Sequence, residues 1–444
     1  MGVGRPAVVV ALALGGFVWT RAAPSSGQVA ETAVPSPLTM VEAVALFRRD
    51  GFDLLIADAD VQAAAGDLAT ATAVANPTAT AGYLHSFFAN GLYETHAGWL
   101  VGIGDANVIA DALAGKRELR GRVARAAFAA ARLRRLDVRR TLELGVKDQY
   151  VAVAAAEGVL RVSREVVDTA EHTFVLNQVR YERGAISEVD LAKTETAKLE
   201  ADQGVAAAAQ ALAQAKVLLA FLMGQRTPSV TYEVDAGQIR FRVPEALERA
   251  TLASLIETAR RARPDLLSQT NQCERAVAAA SLARRQRFPD LGLSVQYQQE
   301  GSANQGPGGP QPVTPPTLQL SVTGTLPFFY QQQGEIRRAE ADVAAQGALL
   351  AKTEAQVAAD VESAYAAFET ARFLVARMEE RLLERARRAR DLTALQYEKG
   401  ATSLLEYLDA QRTYIAVNAE YLQDLANYWD AVFQLEAASA TELL

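Results

Sequence analysis

Residues able to do chemistry are few and scattered in this chain. Cys273 is the only cysteine, and His85, His96 and His172 are the only histidines. No two histidines stand four apart, the spacing at which a helix presents paired imidazoles to zinc. A single thiol builds neither a thiolate cluster nor an internal disulfide, and its position excludes lipid attachment at a mature N-terminal cysteine. Gly102-Ile103-Gly104 lacks the third glycine of a dinucleotide loop, and the chain has no Walker A loop and no nucleophile elbow. The polar residues fall on turns and helix faces without a convergent catalytic set, so the chain reads as a non-enzyme with no cofactor and no metal site. One acidic pair remains. Glu406 and Asp409 lie three residues apart and share one face of a helix, where they either line a cation path or form an ordinary solvated face.

The elements that would carry this pair are long helices. Arg48-Arg49, Asp53-Leu54-Leu55 and Pro77 recur as Arg260-Arg261, Asp265-Leu266-Leu267 and Pro289 at an offset of 212. Tyr181-Glu182-Arg183-Gly184-Ala185-Ile186-Ser187 recurs as Tyr397-Glu398-Lys399-Gly400-Ala401-Thr402-Ser403 at an offset of 216. The chain therefore reads as two tandem halves, 38–224 and 246–440, joined by a linker at 225–245 where Pro228, Gly237 and Pro244 interrupt helical pattern. Each half holds a long proline-free span. In the second, Ile336, Ala339, Val343, Leu350, Val357, Val361, Ala364, Phe368, Ala371, Val375, Met378 and Leu382 mark a heptad seam. A helix over 335–394 at ~1.5 Å per residue spans roughly 90 Å, longer than a globular domain requires. Gly184 and Gly400 end the long helices, and a second helix returns from each, over 404–438 in the second half.

Short alternating segments separate this pattern from a plain antiparallel coiled coil. Leu291, Leu293, Val295 and Tyr297 alternate with Gly292, Ser294, Gln296 and Gln298; Leu318, Leu320, Val322 and Leu326 alternate with Gln319, Ser321, Thr323 and Thr325. A Gly-, Pro- and Gln-rich loop, 301–316, joins them within a hairpin at 290–326. The first half has a weaker counterpart at 78–103: Thr78 to Phe87, a turn at Asn90-Gly91, then Tyr93, Thr95, Ala97, Trp99 and Val101 on one face. Such lengths suit the ~9–11 residues of a bilayer-crossing strand, although a soluble hairpin alternates in the same way. Four strands fall short of the ~8 of the smallest membrane barrels, so several copies would have to share one; three would bring twelve.

The bulk numbers agree. The chain has 444 residues, half of them hydrophobic, and a net charge of -7. It lacks the basic footprint of a nucleic-acid binder. Arg5 precedes an apolar run from Ala7 to Trp19, and small residues near Ala22 or Gly27 suit cleavage, so 1–27 reads as a secretory signal. No later segment is expected to be long and apolar enough to span a bilayer as a helix.

With these pieces in hand, the chain resembles the outer membrane efflux factors of the TolC type. The duplication, the two Tyr-Glu-Arg/Lys-Gly-Ala turns and the run Gly400-Ala401-Thr402-Ser403-Leu404-Leu405-Glu406-Tyr407-Leu408-Asp409-Ala410 carry the likeness. Gly115-Lys116-Arg117, Leu326-Pro327-Phe328-Phe329 and Gln333-Gly334-Glu335-Ile336 look more like the heavy-metal cation branch than the multidrug branch. The resemblance implies a mainly α protein with a β-barrel part. It implies a homotrimer with a 12-stranded barrel in outer membrane lipid and a helical tunnel through the periplasm. Its partners would be a periplasmic adaptor (membrane fusion protein) and an inner-membrane efflux pump. It implies further that Glu406 and Asp409 ring the periplasmic constriction and that Asp190 and Tyr397 link coils near the aperture, with Thr402 where some members carry a linking arginine. Tyr181, Gly184, Ser187, Gly400 and Ser403 would form the tip that docks the adaptor. A periplasmic adaptor or a structural coiled coil of an export complex is the alternative; the adaptor would need a more extended β-rich region.

Overall fold

The computed structural model describes residues 34–85, 96–227, 231–302 and 315–443. The expected signal segment, the turn at Asn90-Gly91 with Phe87, Tyr93 and Thr95, and most of the 301–316 loop lie outside them. In chain order the elements are α1 (Met40–Asp50), α2 (Phe52–Thr72), β1 (Thr78–His85), β2 (His96–Gly104), α3 (Val108–Leu113), α4 (Lys116–Glu182) and α5 (Glu188–Leu222). There follow α6 (Glu245–Arg249), α7 (Leu252–Ala262), α8 (Pro264–Arg285), β3 (Leu291–Ser302), β4 (Thr317–Gly324), α9 (Gln333–Arg377), α10 (Leu383–Glu398) and α11 (Leu404–Ser439). Two helices, two strands, a long helix and a returning helix thus occur in that order twice. Local chemistry follows the same order. Thr39 caps α1 in a reciprocal box with Glu42, and Thr251 caps α7 in the same way with Ser254.

All four strands form one antiparallel sheet in sequence order. Its register lines up the alternation found in the sequence. Ala81, Val101, Tyr297 and Leu318 make one apolar row, and Ala79, Ile103, Val295 and Leu320 the next. On the opposite face, Thr80, Gly102, Gln296 and Gln319 stand side by side. Trp99 packs against Tyr297 at 5.3 Å between ring centroids. Despite this the apolar face is open to solvent, with Tyr83, Leu318 and Leu320 each 72% exposed. Among the described residues β1 and β4 each have only one strand neighbour, so the sheet ends in two free edges. Leu326, expected to continue the β4 alternation, lies beyond the strand end at Gly324, because the chain already turns through Pro327 toward α9.

The helices are rods. At ~1.5 Å per residue, the 67 residues of α4 reach roughly 100 Å. The second rod is interrupted: a π-helical turn, Met378–Leu382, separates α9 from α10. Its wider turn shifts the seam by one residue. Leu382, expected on the seam, is therefore exposed, while Leu383 packs beside Met378, Ala386 and Val417. Ile336, Val357, Val361, Ala364, Phe368, Val375 and Met378 are buried as the heptad pattern predicts. One expectation fails outright: α5 is long and apolar enough, by length and composition, to cross a membrane. One side of it packs along α4, while Ala206, Ala207, Ala209, Ala211 and Ala213 remain exposed.

The main core sits where α1, the middle of α4 and α9, and the ends of α5 and α11 converge. Phe47, Tyr150, Leu219, Phe368, Tyr428 and Trp429 fill it. The stretch expected as a linker is built into this core. Val234 pairs with Leu38, Tyr232 is buried, and the Lys216 ammonium donates to the Tyr232 carbonyl at 2.7 Å while meeting Glu157 at 3.0 Å. Pro228 lies outside the described residues.

Candidate functional site at the helix turns

The four ends of the long and returning helices, α4 with α5 and α10 with α11, carry the residues singled out in the sequence. Both reversals have the same anatomy. Gly184 and Gly400 take positive φ, 70° and 74°. Ala185 N donates to the Arg180 carbonyl at 2.8 Å, and Ala401 N to the Gln396 carbonyl at 2.8 Å, closing each helix with the six-to-one bond of a Schellman turn. Three residues after each glycine a serine starts the next helix. Ser187 accepts from Asp190 N, and Ser403 from Glu406 N, both at 3.2 Å. Ser187 and Ser403, taken from the sequence as docking positions, are thus N-caps, and their loss costs about 1 kcal/mol of helix stability each.

Asp190 and Glu406 occupy the same place in the two turns. The Ser187 hydroxyl donates to the Asp190 carboxylate at 2.9 Å, and Lys193 stands 3.6 Å from it. Glu406 completes a capping box: its carboxylate accepts from the Thr402 hydroxyl and, at 3.3 Å, from Ser403 N. These bonds, Thr402 first, hold the Glu406 carboxyl below its usual range. Asp409 is exposed one turn further along α11. The acidic pair therefore begins a helix, where carboxylates are favoured by the orphan amides and by the dipole.

Tyr397 and Tyr181 match in sequence but not in surroundings. Tyr181 is 40% exposed, whereas Tyr397 is buried. The Tyr397 hydroxyl donates to Asn177 Oδ1 at 2.7 Å, and its ring stacks on Tyr407 at 5.1 Å between centroids. The Arg180 guanidinium lies 5.0 Å above the Tyr397 ring and donates to the Glu398 carbonyl at 3.0 Å. The hydroxyls of Tyr407 and Thr173 meet at 3.1 Å. Together these contacts tie α4 to α10 and α11 just above the turns. Among the described residues Asp190 is not part of that cluster; its side-chain partners are Ser187 and Lys193.

Sequence reasoning missed Thr173, Asn177, Arg180 and Tyr407. Their signal was present in the spacing: 173, 177 and 180 step by four and three, which sets three polar residues on one stripe of a coil-forming helix. Asn177 is fully buried, and its Nδ2 has no hydrogen-bond partner among the described residues.

A second, half-buried pair of polar groups lies at core height. Burial pushes the Asp148 carboxyl of α4 up to about 7, with the charge of Asp430 adding and Lys147 opposing. Burial alone raises Asp430 of α11 to about 6. Oδ1 of each lacks a partner among the described residues, and Lys147, beside Asp148, is bonded to Glu436. Among the described residues no group of three or more His, Cys, Asp or Glu could hold a metal ion.

Known proteins share this architecture. A family described as Outer membrane efflux protein matches residues 112–225 and 255–441, one block in each half. The chain is 29% identical over 319 residues to the pyoverdine export outer membrane protein OpmQ of Pseudomonas aeruginosa, covering 70% of this chain and 63% of that protein. It is 24% identical over 405 residues to the cobalt-zinc-cadmium resistance protein CzcC of Cupriavidus metallidurans, covering 90% and 89%. The chain therefore spans just under two thirds of OpmQ and most of CzcC. Among solved structures, CusC superposes with a TM-score of 0.73 at 16% identity, covering 91% of this chain and 92% of that one. The Campylobacter jejuni CmeC outer membrane channel superposes with a TM-score of 0.73 at 16% identity, covering 90% and 85%. At such identities the superpositions establish the fold.

Proposed function

The chain belongs to the outer membrane efflux protein family, and from that premise we propose that it is the outer-membrane duct of a tripartite efflux system, fed by an inner-membrane pump through a periplasmic adaptor. It carries out no chemistry. The observation that supports this most is the sheet: an in-register apolar face, open to solvent, on four strands with two free edges. In lipid every backbone polar group must be paired, so the edges have to meet other strands in a closed barrel. Three copies make twelve strands, and the rods below them form the tunnel wall. We read the repeated element order as a tandem duplication, 38–224 and 246–440, with the hairpins at 78–103 and 290–326 as the segments that cross the membrane. The two strand pairs carry an exposed apolar face rather than the extended β region of an adaptor, which disfavours that alternative.

The turns at Tyr181, Gly184, Ser187, Gly400 and Ser403 form the periplasmic tip that meets the adaptor. Asp190 and Tyr397 belong to the machinery that holds the aperture, Tyr397 through its bond to Asn177. Glu406 and Asp409 ring the constriction, six carboxylates in a trimer, while Glu406 also caps its helix. Such a ring favours cation passage. Single channels in planar bilayers test this: Glu406→Gln with Asp409→Asn should lower cation selectivity and weaken block by divalent cations from the periplasmic side. Selectivity and block equal to the parent channel would remove both residues from the constriction.

A further inference from the structure

The sheet meets the helices at one end, and that end carries a surface of its own. Because neighbouring strands run in opposite directions, Thr78, Gly104, Leu291 and Gly324 all lie there. The segments leaving it present large apolar side chains to solvent: Ile109 and Leu113 on α3, Phe288 before β3, and Phe328, Phe329 and Tyr330 after β4. Phe329 is 100% and Leu113 85% exposed.

Directly below, the end of α8 and the start of α9 carry Arg284, Arg285, Arg287, Arg337 and Arg338. Arg284 pairs with Glu340 at 2.8 Å, which sets the two helix ends side by side. Arg285 lies 5.5 Å from the Phe288 ring centroid, joining the charged and apolar bands. Arg287, Arg337 and Arg338 are exposed and make no hydrogen bond or ion pair among the described residues. The acids at this height already have partners: Asp290 takes Lys116, Glu335 takes the Tyr330 hydroxyl, and Glu340 takes Arg284. Three unpaired arginines thus gather in one band of a chain whose net charge is -7.

A neighbouring copy would meet the sheet at its β1 and β4 edges, whereas Arg287 lies beside the inner strand β3, and Asp111 and Glu118, further acids near this end, are also paired. A lipid surface fits both parts. Aromatic side chains settle at the boundary between acyl chains and headgroups, and arginines just beyond it reach phosphate groups. We propose that this end of the sheet is an interfacial collar that binds anionic phospholipid headgroups of the periplasmic leaflet through Arg287, Arg337 and Arg338. The inference rests on the outer-membrane reading above. The collar is continuous with the lipid-facing rows of the strands and sets the depth at which the rods leave the membrane.

The test uses the full chain reconstituted in phosphatidylcholine vesicles with trace spin-labelled phosphatidylglycerol or spin-labelled phosphatidylcholine. The fraction of each probe that is motionally restricted by the protein is compared by electron spin resonance. The phosphatidylglycerol probe should be enriched roughly fivefold or more, the scale of one surface arginine. The combined Arg287→Gln, Arg337→Gln and Arg338→Gln variant should bring the ratio to within about twofold of one. A parent ratio near one, or a ratio that the variant leaves intact, overturns the collar. If the same vesicles still show a heat-sensitive oligomer and channel conductance, only the collar falls. A chain that never enters the bilayer overturns the collar and the outer-membrane reading together.

Discussion

Val295→Arg probes the face on which the membrane reading depends. Val295 is the fifth residue of β3, four steps of ~3.4 Å or about 14 Å from Leu291 along the strand, and a ~45° tilt turns this into about 10 Å of depth. In an apolar band ~25 Å tall that is near the middle, where an arginine facing lipid costs about 2–4 kcal/mol. The rows on either side, Leu293 with Val322 and Tyr297 with Leu318, offer it no acidic partner. Gln319→Arg is the control, since Gln319 lies on the opposite face beside Gln296. Outer membranes extracted without heating should contain much less oligomer of the Val295→Arg chain, with a lower melting temperature for what remains, and close to parental amounts of the Gln319→Arg chain. Equal losses in both, or none in Val295→Arg, would refute the assignment of the apolar face to lipid.

Two further outcomes follow from buried polar groups. Tyr397→Phe leaves the Asn177 Oδ1 acceptor unpaired in a fully buried site, a cost of about 1–3 kcal/mol; with the tie between α4 and α10 weakened to the Arg180 contacts, single channels should show longer or larger openings, and unchanged conductance would make the Tyr397 hydroxyl purely structural. Asp148 has a folded-state pKa raised above its unfolded value, so its stabilising neutral form is fully present below about pH 4 and the benefit is lost as pH rises toward about 7. Asp148→Asn should therefore melt at higher temperature than the parent at pH 8 and with little difference at pH 4, while equal gains at both pH values would show that its charge is not the cause.

Much of this was legible because two periodicities carry it. The period of two in Leu291 to Tyr297 and Leu318 to Val322 matches the observed register, and the offsets of 212 and 216 bring out equivalent caps at Thr39 and Thr251 and equivalent turns at Gly184 and Gly400. What escaped depends on contacts far apart in sequence. Nothing local marks the extra residue in the π turn that moves Leu382 off the seam, since only its packing opposite Val417 reveals it. The 225–245 stretch looks like a linker because its prolines and glycine end helices, yet Tyr232 and Val234 are buried, the first bonded to Lys216 of α5 and the second paired with Leu38, which no local pattern encodes. Glu406 and Asp190 stand out in sequence as charges, and the bonds they accept from Ser403 and Ser187 become visible only once the turns are closed. Tyr397 and Tyr181, alike in sequence, separate in burial because only the first has Tyr407 and Asn177 against it.

Whether several copies close one barrel in the outer membrane can be read from the mobility of the protein in an isolated outer membrane fraction on a denaturing gel, with and without heating. A shared barrel gives a band of three chains in the unheated sample that collapses to a single chain on heating. A protein found in the soluble periplasmic fraction, or one that migrates as a single chain without heating even after cross-linking, would contradict it.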